Sequence, residues 1–240
     1  GLAALQAGKH LLLEKPFART YAEAVEVVEA AERADGMMMV AMCMRFWPEW
    51  VYLKDAVEAG TYGAVHAAVF RRVASHPDGA FYRDGEATGG ALLDLHIHDL
   101  DFVQYLFGTP RSVTSRGYSA PTSAVDHVST LYEYDDVPLV VAEGGWAMAP
   151  TFGFSMRYTV NCERATLVFD IGQSPTLTIH EHGQEQPTTP DLPSGMGYEH
   201  EIAYFLECIG SGKAPETVTP ASAAETIRIA EAEMRSVETG

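Results

Sequence analysis

The chain has 240 residues and is 47% hydrophobic, enough for a sizeable core in one large domain or two smaller ones, and outside the disordered class. Sixteen Lys and Arg against 33 Asp and Glu give a formal net charge of −17, which argues against nucleic acid as the main partner because phosphate contacts need clustered cations. No apolar run is long enough for a membrane span, the first residues lack a secretory signal pattern, and Cys43, Cys162 and Cys208 form no CxxC pair, so the expectation is a cytoplasmic protein with free thiols and neither zinc nor disulfides.

In chain order, residues 1–8 read as the end of a helix with Gly8 as its cap. Residues 10–13 form a short apolar strand that runs into Glu14-Lys15-Pro16. Residues 21–35 (YAEAVEVVEAAERAD) have helical spacing, with Thr20 as N-cap and Gly36 past the end. The apolar run 37–44 is long enough for a strand buried on both faces. Strand, helix, strand predicts a βαβ unit with parallel strands. Residues 48–59 continue as a helix closed by Gly60.

The texture then changes. Strands are predicted over 64–74, 111–119, 126–135, 138–147, 154–162, 165–170 and 176–181, with a hairpin turn at Asp135-Asp136. Helices over 198–209 and 221–237 close the chain, the second capped from Thr219-Pro220. The predicted fold class is therefore α/β plus α+β. Residues 1–60 form a partial parallel unit. Residues 61–240 form a domain with a large, mostly antiparallel or mixed sheet and flanking helices. A single βαβ unit makes no stable open sheet, and the chain has no G-x-G-x-x-G turn. The first 60 residues thus read as a remnant that begins in mid-fold.

Residues 89–108 (GGALLDLHIHDLDFVQYLFG) carry the densest pattern. On a helical wheel Leu92, Leu95, Phe102, Val103 and Leu106 share one side. Asp94, His98, Asp101 and Tyr105 fall on a narrow opposite stripe, while His96 rotates toward the apolar side. An aspartate one turn before a histidine can hydrogen-bond it, or bond the same substrate, and a nearby carboxylate keeps an imidazole in range for proton transfer. The plain alternative is a solvated helix face. His96 reads as a packed core histidine. Lys15 follows a parallel strand, where open α/β sheets bind ligands, and Pro16 fixes the turn and permits a cis bond. The plain alternative there is a surface lysine.

Taken together, AGKHLLLEKPFA, the following helix, and GGALLDLHIHDLDFVQYLFG resemble the Gfo/Idh/MocA family of NAD(P)-dependent oxidoreductases, which includes glucose–fructose oxidoreductases and inositol dehydrogenases. The closing helices look similar as well. The resemblance implies a Rossmann-type N-terminal unit and a C-terminal substrate and oligomerisation domain. It implies catalytic roles for Lys15, Asp94 and His98, with His98 as general acid/base, Asp94 holding substrate and Lys15 near the nicotinamide ribose. Glu14, Lys15, Pro16 and Arg45 would border the cofactor, NAD or NADP, and Trp47 and Tyr82 would wall the substrate pocket. No metal is implied. The substrate would be a sugar, cyclitol or related polyol, and the protein a dimer or tetramer with no nucleic-acid or membrane partner. Because the glycine-rich pyrophosphate loop is missing, the 240 residues alone are expected to bind dinucleotide poorly and turn over little.

Two rivals remain at this level. His96-x-His98 matches a metal-hydrolase pair if the segment is a strand, since strands aim residues two apart to one side. A non-catalytic sensor of the same fold is the other.

Overall fold

The structure, a computed structural model, describes residues 1–240. Helix α1 (Leu2–Gln6), strand β1 (Leu11–Leu13), helix α2 (Tyr21–Glu32) and strand β2 (Met38–Val40) open the chain. β1 and β2 pair in parallel, Leu11 opposite Met38 and Leu13 opposite Val40. Helix α2 starts with a reciprocal cap: the Thr20 hydroxyl accepts from the Glu23 N–H, and the Glu23 carboxylate accepts from the Thr20 N–H.

The strand expected over 37–44 is much shorter. β1 offers only three residues to pair with. The Ala41 N–H still reaches the Leu13 carbonyl at 2.8 Å, and beyond it the chain turns into a 3-10 helix, Cys43–Phe46. Residues 41–46 are all buried. A run that is apolar on every side reads alike as buried strand or buried turn, so periodicity could not separate them. Helix α3 (Pro48–Glu58) follows, with proline in its first turn.

A seven-stranded sheet dominates the rest: β3 (Val65–Ser75), β4 (Ser112–Tyr118), β5 (His127–Glu133), β6 (Leu139–Met148), β7 (Phe154–Cys162), β8 (Ala165–Asp170) and β9 (Leu177–Glu181). Its order is β4-β5-β6-β3-β7-β8-β9. β3 and β6 are parallel and every other neighbouring pair is antiparallel, so the sheet is mixed. Strong alternation, as in β5 with Val128, Thr130 and Tyr132 buried and Ser129, Leu131 and Glu133 exposed, gives it one covered and one open face.

Between β3 and β4 lie two short helices, α4 (Ala80–Arg83) and α5 (Gly85–Thr88), and then helix α6 (Ile97–Phe107). The uniform helix expected over 92–106 is interrupted: Leu92–His96 form a π turn that leads into α6. Gly90 before it has φ of 71°, and a Cβ there would sit 2.5 Å from the Val125 carbonyl oxygen, so the entry to the turn requires glycine. Helices α7 (Gly197–Ser211) and α8 (Pro220–Thr239) close the chain, and α8 lies against α2, α6 and β4.

One core joins both parts. Trp50 of α3 is fully buried, edge-on to Phe102 of α6 at 4.7 Å and to Tyr158 of β7 at 5.3 Å between ring centroids. No helix is long and apolar enough to cross a membrane.

Candidate active site

β1 ends at Leu13, so Glu14, Lys15 and Pro16 stand at the C-terminal edge of the parallel pair, and the Lys15–Pro16 bond is cis. That edge is where α/β sheets take ligands, because the strand ends there give way to loops. The π turn reaches it from the other region. Lys15 Nζ donates to the Asp94 carbonyl oxygen at 2.5 Å and to Asp94 Oδ1 at 3.2 Å. The two side chains are 14% and 30% exposed, so the pair remains reachable from solvent.

His98, in the first turn of α6, is half-buried, with Nδ1 3.9 Å from Cys43 Sγ. Burial, assisted by the cations of Lys15 and Arg72, holds its imidazole well below the usual histidine range. His98 is therefore neutral near pH 7 and able to accept a proton. Arg72 lies in a buried pair with Asp99, Nε to Oδ2 at 2.7 Å. Burial pushes the Cys43 thiol up to about 12, with the charge of Glu201 adding to it, so Cys43 stays protonated.

Of Asp101 and Tyr105, the rest of the polar stripe, Asp101 is sealed from solvent and Tyr105 is half-buried. Asp101 is buried and takes Arg45 in a two-pronged pair at 2.7 and 2.9 Å. Arg45 also donates to the Thr217 carbonyl and Ser222 Oγ, and its guanidinium lies 4.6 Å from the Tyr105 ring centroid. Its side chain is 2% exposed. Arg45 was expected to border the cofactor; in the structure its guanidinium is engaged by groups that tie the 3-10 segment to α6 and α8.

Trp47 is half-buried with its ring edge-on to Tyr198 of α7 at 6.0 Å. Tyr82 packs against Trp146 at 6.0 Å. Neither hydrogen-bonds to Lys15, Asp94 or His98. A tie between the loop after β1 and the segment carrying Tyr82 does exist: Arg19 donates to the Ala87 carbonyl. His96 is fully buried, as expected of a core histidine, with Nε2 3.1 Å from Glu233 Oε2 and 3.3 Å from the Tyr132 hydroxyl. His96 and His98 therefore diverge and do not converge on one metal.

Sequence reasoning missed Cys43, Tyr198 and Glu201. Glu201 is 3% exposed, and burial, then the charge of Glu14, raises its carboxyl to about 8. Its one sequence signal is its position three residues past Tyr198 on an amphipathic helix, which does not tell a buried acid from an exposed one. Cavities of about 400 and 410 Å³ are lined by other residues, and none of Lys15, Asp94 and His98 borders them.

Comparison with known proteins gives a consistent picture. Residues 1–42 match the description "Oxidoreductase family, NAD-binding Rossmann fold" and residues 50–168 match "GFO/IDH/MocA C-terminal domain". The chain is 28% identical over 231 residues to trans-1,2-dihydrobenzene-1,2-diol dehydrogenase of Bos taurus, spanning 91% of this chain and 67% of that protein. Among curated relatives of this activity from macaque and pig, the chain spans 65–66% of their length. The fold is shared with aldose-aldose oxidoreductase from Caulobacter crescentus complexed with glycerol, at a TM-score of 0.87 and 22% identity over 100% of this chain and 73% of that one. It is shared also with levoglucosan dehydrogenase in complex with NADH and levoglucosan, at 0.86 and 20% over 99% and 74%.

Proposed function

The chain belongs to the Gfo/Idh/MocA family of oxidoreductases, whose N-terminal part is an NAD-binding Rossmann fold, and from that premise we propose that it moves a hydride between a nicotinamide and a hydroxyl- or carbonyl-bearing carbon of a sugar, cyclitol or related diol. The observation that carries this reading is the meeting of Lys15, Asp94 and a neutral His98 at the end of a parallel strand. NAD or NADP, when bound, supplies the hydride acceptor or donor. The residues present fit its nicotinamide end: a cationic lysine, a cis-proline turn and the exposed Glu14 form the strand edge. No residue of this chain has the glycine-rich pattern for the pyrophosphate end.

The chemistry follows from charge balance. Taking hydride from an alcohol carbon leaves a carbonyl only if the hydroxyl proton also leaves, so a base must stand within hydrogen-bond reach. His98 takes that proton during oxidation and returns it during reduction. Lys15 stabilises the negative charge that grows on the substrate oxygen. Asp94 aims Lys15 and accepts from a neighbouring substrate hydroxyl. Trp47, beside Tyr198, forms an apolar wall, and Tyr82 a second one across the Arg19 tie. Arg45 holds the 3-10 segment and so positions Cys43 and His98 without touching ligand.

We also assign association with a second copy to the open face of the large sheet. Val69, Val141 and Leu131 form an apolar row across β3, β6 and β5, with Val69 and Leu131 41% and 45% exposed. Sedimentation of the native protein as a monomer at micromolar concentration would contradict this assignment.

The test of function is a titration of NADH and NADPH into wild type and Lys15→Ala, followed by a panel of sugars, cyclitols and diols read at the nicotinamide absorbance band. Turnover that needs both Lys15 and His98 supports the reading. A protein that binds nucleotide yet turns over no member of the panel in either direction refutes it.

A further inference from the structure

Behind the site, on the side of the π turn that faces away from Lys15, lies a polar cluster with no part in the chemistry above. His96, the last residue of the turn, is fully buried, as is Glu233 of α8, and Tyr132 of β5 is 1% exposed. The Tyr132 hydroxyl donates to Glu233 Oε1 at 2.6 Å. His96 Nε2 lies 3.1 Å from Glu233 Oε2 and 3.3 Å from the Tyr132 oxygen. On the other side of the ring, His96 Nδ1 has no partner and faces Gly144 of β6. A Cβ on Gly144 would stand 2.5–2.8 Å from three atoms of the His96 side chain, so the sheet leaves a glycine-sized recess for the imidazole.

A carboxylate buried among apolar residues is costly unless other groups hold it, and here the Tyr132 hydroxyl and the His96 ring close on Glu233. The cluster joins three elements: the π turn, strand β5 next to one edge of the sheet, and the last helix. A π turn has a looser ladder than an α-helix and depends on its surroundings to stay put. Asp94 lies two residues before His96 in that turn, and His98 two residues after it. We infer that His96, Glu233 and Tyr132 are positioning residues that pin the π turn from behind, and so fix Asp94 and His98 against Lys15. This rests on the reading of Lys15, Asp94 and His98 as the proton-transfer site.

The test reads the position of Lys15 through His98, in the 240-residue chain itself and without turnover. The groups that face the His98 ring are the Lys15 ammonium from the strand end, the Arg72 guanidinium from β3 and the Cys43 thiol from the 3-10 segment. If the turn loosens, Lys15 is released from Asp94 and its charge no longer stands beside His98. NMR titration of the His98 ring, assigned with His98→Gln, is compared in wild type, Tyr132→Phe, Glu233→Gln and Gly144→Ala. The expected result is an upward shift of the His98 midpoint, toward the ordinary imidazole range, in all three variants. In a Lys15→Met background the same substitutions should shift the midpoint by less, because the part of the effect that passes through Lys15 is already gone. Tyr132→Phe removes only a hydroxyl, so it carries the test if Glu233→Gln fails to fold by circular dichroism. An unchanged midpoint in folded Tyr132→Phe would overturn the inference, as would equal shifts with and without Lys15. Absence of hydride transfer would defeat the functional reading alone, since the titration does not depend on it.

Discussion

The two sheets divide the work unequally. The parallel pair β1–β2 has three residues per strand, while the large sheet has seven strands of five to eleven residues. Yet the small unit brings Lys15, Cys43 and Arg45, and the large one brings Asp94, His98 and Asp101, to a common boundary. A two-stranded sheet is not stable alone. What holds the small one is the side-chain traffic across the boundary: a solvent-reachable pair, Lys15–Asp94, next to a sealed one, Arg45–Asp101. The difference between those two ion pairs shows how one boundary can be both hinge-tight and chemically open. The sealed pair fixes geometry, and the open pair meets ligand.

Breaking the common core should have the largest effect. Trp50→Ala removes a buried ring that touches α6 and β7, and should cost about 3–5 kcal/mol. Denaturant unfolding should show both regions lost in one transition. Two separate transitions, one for each sheet, would show that the regions are independent and would break the comparison. Close behind comes Arg45→Met, which leaves the Asp101 carboxylate buried without its cation, at a cost of roughly 3–5 kcal/mol. Adding Asp101→Leu should recover much of that loss. If Arg45 instead served the cofactor, Arg45→Met would weaken nucleotide binding with little change in stability.

The open pair should behave in the opposite way. His98→Gln should lower turnover by about 10²–10⁴-fold, the usual worth of a positioned acid–base group, while the melting temperature stays near wild type. Lys15→Met removes one of the charges that depress His98. The acid limb of oxidation, which needs neutral His98, should then move to higher pH.

A smaller effect sharpens the comparison from the α7 side. Glu201 keeps its proton in the folded state up to about pH 8, whereas the unfolded chain releases it near the ordinary value of 4.5. Between those values the folded state binds more protons, so stability falls as pH rises and levels off above about 8. Glu201→Gln should flatten that slope in melting curves taken across the window. A slope identical to wild type would mean that Glu201 ionises normally.

Much of this was legible in the sequence, for identifiable reasons. The seven strands alternate or carry β-branched runs between turn residues, and their predicted ends fall close to those observed. The separation of His96 from His98 followed from helical spacing and survives the π turn. The turn itself left no mark, because a π turn has no composition of its own and is set by Gly90 meeting Val125 and by His96 meeting Glu233, both long-range contacts. The over-long second strand has the same origin: burial on all sides erases periodicity. The buried partner of Arg45 was not legible, because a chain of letters does not tell an arginine that meets a ligand from one that meets Asp101, 56 residues away.

The central claim is that His98 at the strand end moves the proton that accompanies hydride transfer. The most direct test follows nicotinamide absorbance in single turnovers across pH, for wild type and His98→Gln, with whichever diol or sugar the panel identifies. The account predicts an oxidation rate in wild type that falls at low pH, and in His98→Gln a rate at least about 100-fold lower that has lost this limb. Equal rates with the same pH profile in both proteins would contradict it.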